Sequence, residues 1–207
     1  MNLPNRLTVG RIVLTVIFVM ALLLPRDGMV FHWFPYGKTM ALGIFILASL
    51  TDWWDGWLAR RYKLETNFGA LMDPLADKVL VAAAFICFIE LKNYKDQALV
   101  QAWMVLLIVA REFLVTGMRL IAREKNVVLK AEQLGKHKTI WQMITIIVAL
   151  AGLAAWEEWG CLGFDPGAFG LVFSRVVFVL MLVTVALTIW SGVAYLFKNR
   201  KLIFEHA

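Results

Sequence analysis

The sequence predicts an all-α, polytopic membrane protein with six transmembrane helices, a short N-terminal interfacial segment and both termini on the cytoplasmic side. Three observations predict it. Of 207 residues, 61% are hydrophobic, against about 45–50% in a soluble domain. Mean hydropathy is +0.72. Six apolar runs approach the roughly 20 residues that a membrane span needs. Backbone groups in lipid must be satisfied within their own segment, so each run is expected to be a helix.

Taken in order, the segment from Asn2 to Arg11 mixes polar and apolar residues. It fits either a short amphipathic helix lying in the interface or a solvated terminus. The spans are expected at about 9–25, 37–59, 69–91, 98–121, 138–157 and 171–197. The first run follows Arg6 and Arg11 and imitates a signal peptide, but it lacks a small-residue cleavage site and reads as a retained helix. Pro74 is expected to start or kink the third helix, opening backbone near Asp73. No soluble domain, linker tract or internal repeat is visible, so residues 1–207 read as a single transmembrane domain.

Lysine and arginine set the orientation. Arg6 and Arg11, then Arg60, Arg61 and Lys63, then Arg119, Arg123, Lys125, Lys130, Lys136 and Lys138, and finally Lys198, Arg200 and Lys201 fall on one side. The opposite loops hold only Arg26, Lys38, Lys92 and Lys95, with acidic Glu157, Glu158 and Asp165. That asymmetry places both termini in the cytoplasm and accounts for most of the +6 net charge. With no soluble basic domain, no nucleic-acid partner is expected. Cys87 sits in an apolar run and Cys161 in a short polar connection, a pattern that carries neither a disulfide framework nor metal-ligand spacing.

Asp52, Asp55, Asp73 and Asp77 stand where the second and third spans meet the cytoplasmic face. A carboxylate deep in a bilayer costs about 2.5–3.5 kcal/mol on insertion scales, so such residues mark function. Asp52 and Asp55 are three apart and Asp73 and Asp77 four apart, so each pair shares one helix face. Two antiparallel helices can converge the four on one pocket. Hard cations such as Mg²⁺ favour oxygen ligands of this kind, and two divalent ions balance the four negative charges. Gly56 and Ala59 lie one turn beyond Asp52 and Asp55 and clear that face for a bulky ligand. Small-residue helix packing is the bland account of them and of Gly69. Arg60 is placed for a diphosphate, as well as for anchoring at the interface. The spacing does not fit an EF-hand, and no serine or histidine is set for nucleophilic catalysis.

These residues resemble the motif of the CDP-alcohol phosphotransferase family, Asp-x2-Asp-Gly-x2-Ala-Arg-x8-Gly-x3-Asp-x3-Asp, with all eight positions present: Asp52, Asp55, Gly56, Ala59, Arg60, Gly69, Asp73 and Asp77. The segments Asn2–Arg11, Ala110–Arg119 and Gly135–Thr139 resemble the bacterial branch whose acceptor is sn-glycerol 3-phosphate. The resemblance implies transfer of a phosphatidyl group from CDP-diacylglycerol to that acceptor, with CMP leaving, in the inner membrane of a bacterium with the site facing the cytoplasm. It implies that Asp52, Asp55 and Asp73 hold two Mg²⁺ or Mn²⁺ ions, that Asp77 completes the metal site and acts as general base, and that the aspartates with Gly56, Ala59, Arg60 and Gly69 shape the CDP-diacylglycerol site. A homodimer is implied as well, with membrane lipids around it.

An anionic acceptor needs cationic recognition. Arg111, Arg119, Lys136 and Lys138 cluster at the cytoplasmic ends of the fourth and fifth spans. Arg111 is the most informative, because it lies inside an apolar run with Glu112 beside it, to orient it or simply to pair with it. Lys136 and Lys138 fit the positive-inside pattern equally well. Phosphatidylinositol phosphate, phosphatidylserine and cardiolipin synthases are the rivals within the family, and an ion-coupled transporter is the rival outside it. A transporter predicts midplane polar residues on several helices and internal repeats, whereas charge here gathers at the helix ends.

Overall fold

A computed structural model describes residues 3–23, 36–62, 67–124 and 133–198, and the side chains of 10–23, 36–51, 78–122, 135 and 137–198. Among the described residues there are six α-helices: α1 (Leu3–Leu23), α2 (Gly37–Tyr62), α3 (Asn67–Glu90), α4 (Ala102–Glu124), α5 (Gln133–Glu157) and α6 (Pro166–Lys198). A 3-10 turn, Gly160–Gly163, links α5 to α6. No strand occurs among the described residues; Lys92 and Ala98 form one isolated bridge.

The helices run further than the apolar runs that predicted them. The segment read as interfacial or solvated is helical and continuous with the first span, α1 running unbroken from Leu3. Pro4 falls in the first turn, where its missing N–H would have had no partner and its fixed φ suits the helix. Gly10 alone costs only about 1 kcal/mol. Pro74 does not start α3 but lies within it. At the front of α4 the opposite holds: residues 98–101 stay outside the helix. There the Leu99 amide donates to the Leu91 carbonyl at 2.7 Å and the Val100 amide to the Phe88 carbonyl at 3.2 Å, which uses this stretch to close the α3–α4 turn. The front of α6 begins five residues earlier than its apolar run. Asp165 Oδ2 accepts from the Ala168 amide at 2.8 Å with Pro166 as the first helical residue, a combined N-cap and N1 proline.

At one end of the bundle three helix termini are tied together. The Glu158 carboxylate, just past α5, accepts from the amides of Lys38 and Thr39 at 2.6 and 2.9 Å, so it serves as the cap of α2 from another part of the chain. Lys38 Nζ in turn donates to the Leu22 carbonyl at the end of α1 at 2.6 Å. These are orphan amides and carbonyls at helix ends, satisfied by opposite partial charges. Cys161, read from sequence as lying in a polar connection, is buried and sits at φ 54° in the 3-10 turn.

Packing follows aromatic and small residues. Phe18 of α1 meets Phe45 of α2 with ring centroids 6.0 Å apart. Between α5 and α6 each helix offers a glycine to a ring of the other. A Cβ at Gly152 would lie 2.0 Å from the Phe173 ring, and one at Gly170 would lie 2.6 Å from the Trp156 ring. Close backbone approach of this kind is how helices associate where lipid is as apolar as leucine. Among the described residues, two helices are long and apolar enough to cross a membrane, His137–Glu157 and Pro166–Lys198. Gly10–Leu23 and Gly37–Thr51 are apolar but shorter stretches among the described residues. On α6 most residues left outside the bundle are apolar, Trp190 at 68% and Phe197 at 69% exposure among them, with Arg175 and Lys198 the charged exceptions.

Candidate active site

The helix ends opposite the Glu158 cap carry the motif. Asp52, Asp55, Gly56, Ala59 and Arg60 all fall on the C-terminal part of α2, and Gly69, Asp73 and Asp77 on the N-terminal part of α3. Their helical placement gives Asp52 and Asp55, and likewise Asp73 and Asp77, a common face. The side chains of these eight residues lie outside the described residues, as does that of Lys136.

Next to these positions the described side chains enclose a cavity of about 180 Å³. Its wall includes Arg11 of α1, Ser49 of α2, Lys78 of α3, and Thr139 and Gln142 of α5. Ser49 is three residues before Asp52 and Lys78 follows Asp77 directly, so the cavity adjoins both aspartate pairs along the backbone. Four helices meet there because α1 packs on α2 and α3 while α5 packs on α2 and α3 as well.

Behind this wall lies a buried ionic cluster centred on Glu112 of α4, which is 7% exposed. Lys138, 1% exposed, places its ammonium in contact with Glu112 Oε1. Lys78 Nζ lies 3.4 Å from Oε2. Arg111 Nη1 lies 3.7 Å from Oε1, and Gln142 Nε2 donates to the same oxygen at 3.4 Å. Cations from α3, α4 and α5 thus converge on one carboxylate. Desolvating an ion costs several kcal/mol, which is offset only where pairing and hydrogen bonding are dense.

A second layer comes from α6. Arg111 Nη2 donates to Ser191 Oγ at 3.0 Å, and the Ser191 hydroxyl donates to the Thr188 carbonyl at 3.1 Å. The serine proton is therefore directed at α6, leaving a lone pair for the guanidinium. Gly192 gives the arginine stem room, since a Cβ there would stand 2.9 Å from Arg111 Cγ. Two turns further along α4, the Arg119 guanidinium lies 5.5 Å from the centre of the Tyr195 ring, within cation–π range.

Of the four basic residues singled out in sequence, Arg111 and Lys138 are brought together through Glu112, and Arg119 stands apart on the same helix. Lys138 is enclosed and faces Glu112. Sequence reasoning treated Glu112 only as a neighbour of Arg111 and passed over Lys78 and the α6 residues. A carboxylate inside an apolar run was a usable signal, and so was a lysine next to the last aspartate of the motif. Ser191 and Gly192 carry no signal without the α4–α6 contact.

Comparison with known proteins shows the family. The model of the CDP-alcohol phosphatidyltransferase family matches residues 1–190. A Bacillus subtilis protein named CDP-diacylglycerol–glycerol-3-phosphate 3-phosphatidyltransferase is 42% identical over 72% of this chain and 76% of its own. One of the same name from Sodalis glossinidius is 35% identical over 100% of this chain and 99% of its own. Another, from Rickettsia typhi, is 32% identical over 98% and 99%. The all-helical fold and the motif define a membrane-embedded transferase of CDP-linked alcohols. The chain belongs to the CDP-alcohol phosphatidyltransferase family.

Proposed function

We propose that this chain transfers the phosphatidyl group of CDP-diacylglycerol to sn-glycerol 3-phosphate, giving phosphatidylglycerol phosphate and CMP. The observation that carries the reading is the full-length match to relatives bearing that activity's name. The cationic cluster beside the motif supports it, since an acceptor phosphate needs such partners.

Four carboxylate-bearing positions, paired on two successive helices, offer an all-oxygen donor set suited to a hard divalent cation. Asp52, Asp55, Asp73 and Asp77 would hold two Mg²⁺ or Mn²⁺ ions, which when bound neutralise the diphosphate and the departing CMP oxygen. Gly56, Ala59 and Gly69 leave the helix surface open to the cytidine diphosphate, and Arg60 pairs with its charge. The acceptor enters with its phosphate toward Arg111, Arg119 and Lys136; Lys138, enclosed against Glu112, acts through that carboxylate instead of meeting the phosphate. Its hydroxyl oxygen attacks the phosphorus that carries diacylglycerol, and Asp77 takes the hydroxyl proton. A P–O bond forms to the acceptor, the P–O bond to CMP breaks, and CMP leaves. The acyl chains stay in lipid throughout, which is why the site belongs at the membrane interface.

Residues 1–207 form one domain of six membrane-spanning helices, with both termini and the active site on the cytoplasmic face of the bacterial inner membrane. The lysine and arginine bias supports that orientation. The protein acts as a homodimer. The test is direct: purified protein is incubated with CDP-diacylglycerol, divalent metal and a panel of alcohols, and the lipid product is identified. Phosphatidylglycerol phosphate formed only with sn-glycerol 3-phosphate is expected. A product from inositol phosphate, serine or phosphatidylglycerol instead would reassign the acceptor.

A further inference from the structure

Glu112 has no place in the chemistry above, yet it is heavily engaged beside the site. It is buried, and its two oxygens are shared among Lys138, Lys78, Arg111 and Gln142. Two of those partners, Lys78 and Gln142, also form the wall of the cavity beside the aspartate positions. A third, Arg111, is held from its other side by Ser191. The carboxylate therefore stands one layer behind the cavity, with Lys78 of α3 and Gln142 of α5 reaching forward to it and Arg111 of α4 turned toward α6. Removing its charge takes away a counter-charge shared by three cations on α3, α4 and α5, and the repulsion among them grows in a low-dielectric interior. They would separate, and the cavity wall would lose its register.

We infer that Glu112 is the positioning residue of the acceptor end of the site: it holds Lys78 at the cavity wall and Arg111 beside the carboxylate, with Lys138 locking it from behind. The inference deepens the proposed function and rests on its reading that basic residues of α4 and α5 receive the acceptor phosphate. It also adds Lys78 to the cations that the acceptor meets. Preorganised charges spare a ligand the cost of assembling them. Their dispersal should therefore weaken acceptor binding while sparing the CDP-lipid and the chemical step at saturation.

The test is steady-state kinetics of Glu112→Gln and Glu112→Asp in detergent with both substrates varied, beside Arg111→Lys as a reference. Glutamine keeps the shape and one acceptor oxygen but removes the charge; aspartate keeps the charge and shortens the reach. In Glu112→Gln, KM for sn-glycerol 3-phosphate should rise about tenfold or more, on the scale of a lost charge-assisted hydrogen bond. KM for CDP-diacylglycerol and kcat should stay within about threefold, and Glu112→Asp should fall between the two. A residue serving only the fold would move both KM values together or neither, and either result overturns the inference. If the glutamine variant does not fold, the aspartate variant decides by the same split. Should Arg111→Lys raise the acceptor KM while Glu112→Gln leaves it unmoved, the positioning role fails and the acceptor-site reading stands. Should neither variant move it, that reading fails too.

Discussion

Arg111 of α4 is bound to Ser191 of α6, with Nη2 donating to Oγ at 3.0 Å. The next residue, Gly192, is what lets the two helices hold that arginine, because a Cβ there would reach Arg111 Cγ at 2.9 Å. Gly192→Ala should therefore displace the guanidinium without unfolding the protein. The expected result is a rise of about three- to tenfold in KM for sn-glycerol 3-phosphate, in line with the weakening of one charged contact. Melting in detergent should be nearly unchanged, since the stem of an arginine can yield. An acceptor KM equal to that of the parent would show that Arg111 is not confined by α6.

Arg119 tests the acceptor site from the far end of α4. Arg119→Ala should raise KM for sn-glycerol 3-phosphate far more than KM for CDP-diacylglycerol. Its guanidinium rests over Tyr195, and a ring face stabilises a cation by about 0.5–2 kcal/mol. Tyr195→Phe keeps that face and should behave like the parent, whereas Tyr195→Leu should follow Arg119→Ala in part. Equal changes in both KM values would remove Arg119 from the acceptor site.

The aspartates divide by role. Asp52→Asn or Asp73→Asn should cut turnover by about a hundredfold or more, as expected for loss of a metal ligand, while the protein stays folded. Asp77→Asn should lower kcat by about 10²–10⁴, the usual worth of a general base, with KM for CDP-diacylglycerol little changed. Incorporation of labelled glycerol phosphate into lipid, with metal varied, measures both. Near-normal activity in Asp52→Asn or Asp73→Asn would sink the metal assignment.

Glu158 separates stability from catalysis. Its carboxylate caps α2 at the end of the bundle away from the aspartates. Glu158→Ala should cost about 1–2 kcal/mol, the worth of a strong N-cap, and lower the melting temperature in detergent. kcat/KM measured well below that temperature should be retained. A matching loss of activity at low temperature would tie this end of the molecule to the site.

Much of the fold was legible because the membrane imposes a simple rule. Apolar runs of span length must be helices, so the order and approximate centres of all six follow from hydropathy alone. Other ends, such as the fronts of α1, α4 and α6, did not follow, because hydropathy marks the lipid-facing part of a helix and not its hydrogen bonds. The front of α6 was set by Asp165 and Pro166, a local cue present in the sequence. The front of α2 lies at the expected residue 37, but the partner that caps it, Glu158, is 120 residues away from Lys38, and no local pattern announces that contact.

For the candidate site the same division holds. The sequence by itself determined the motif, since helical periodicity alone puts Asp52 with Asp55 and Asp73 with Asp77 on shared faces. It also singled out Arg111, because an arginine within an apolar run is costly enough to demand a reason. Only the tertiary structure decided which charges meet. Lys78, Glu112 and Lys138 lie on three helices, and their convergence depends on how α3, α4 and α5 pack. Spacing along one helix is a property of the backbone and can be read from the chain. Ionic contacts between helices are short-ranged, so they exist only once packing has fixed the distances and excluded water from between them.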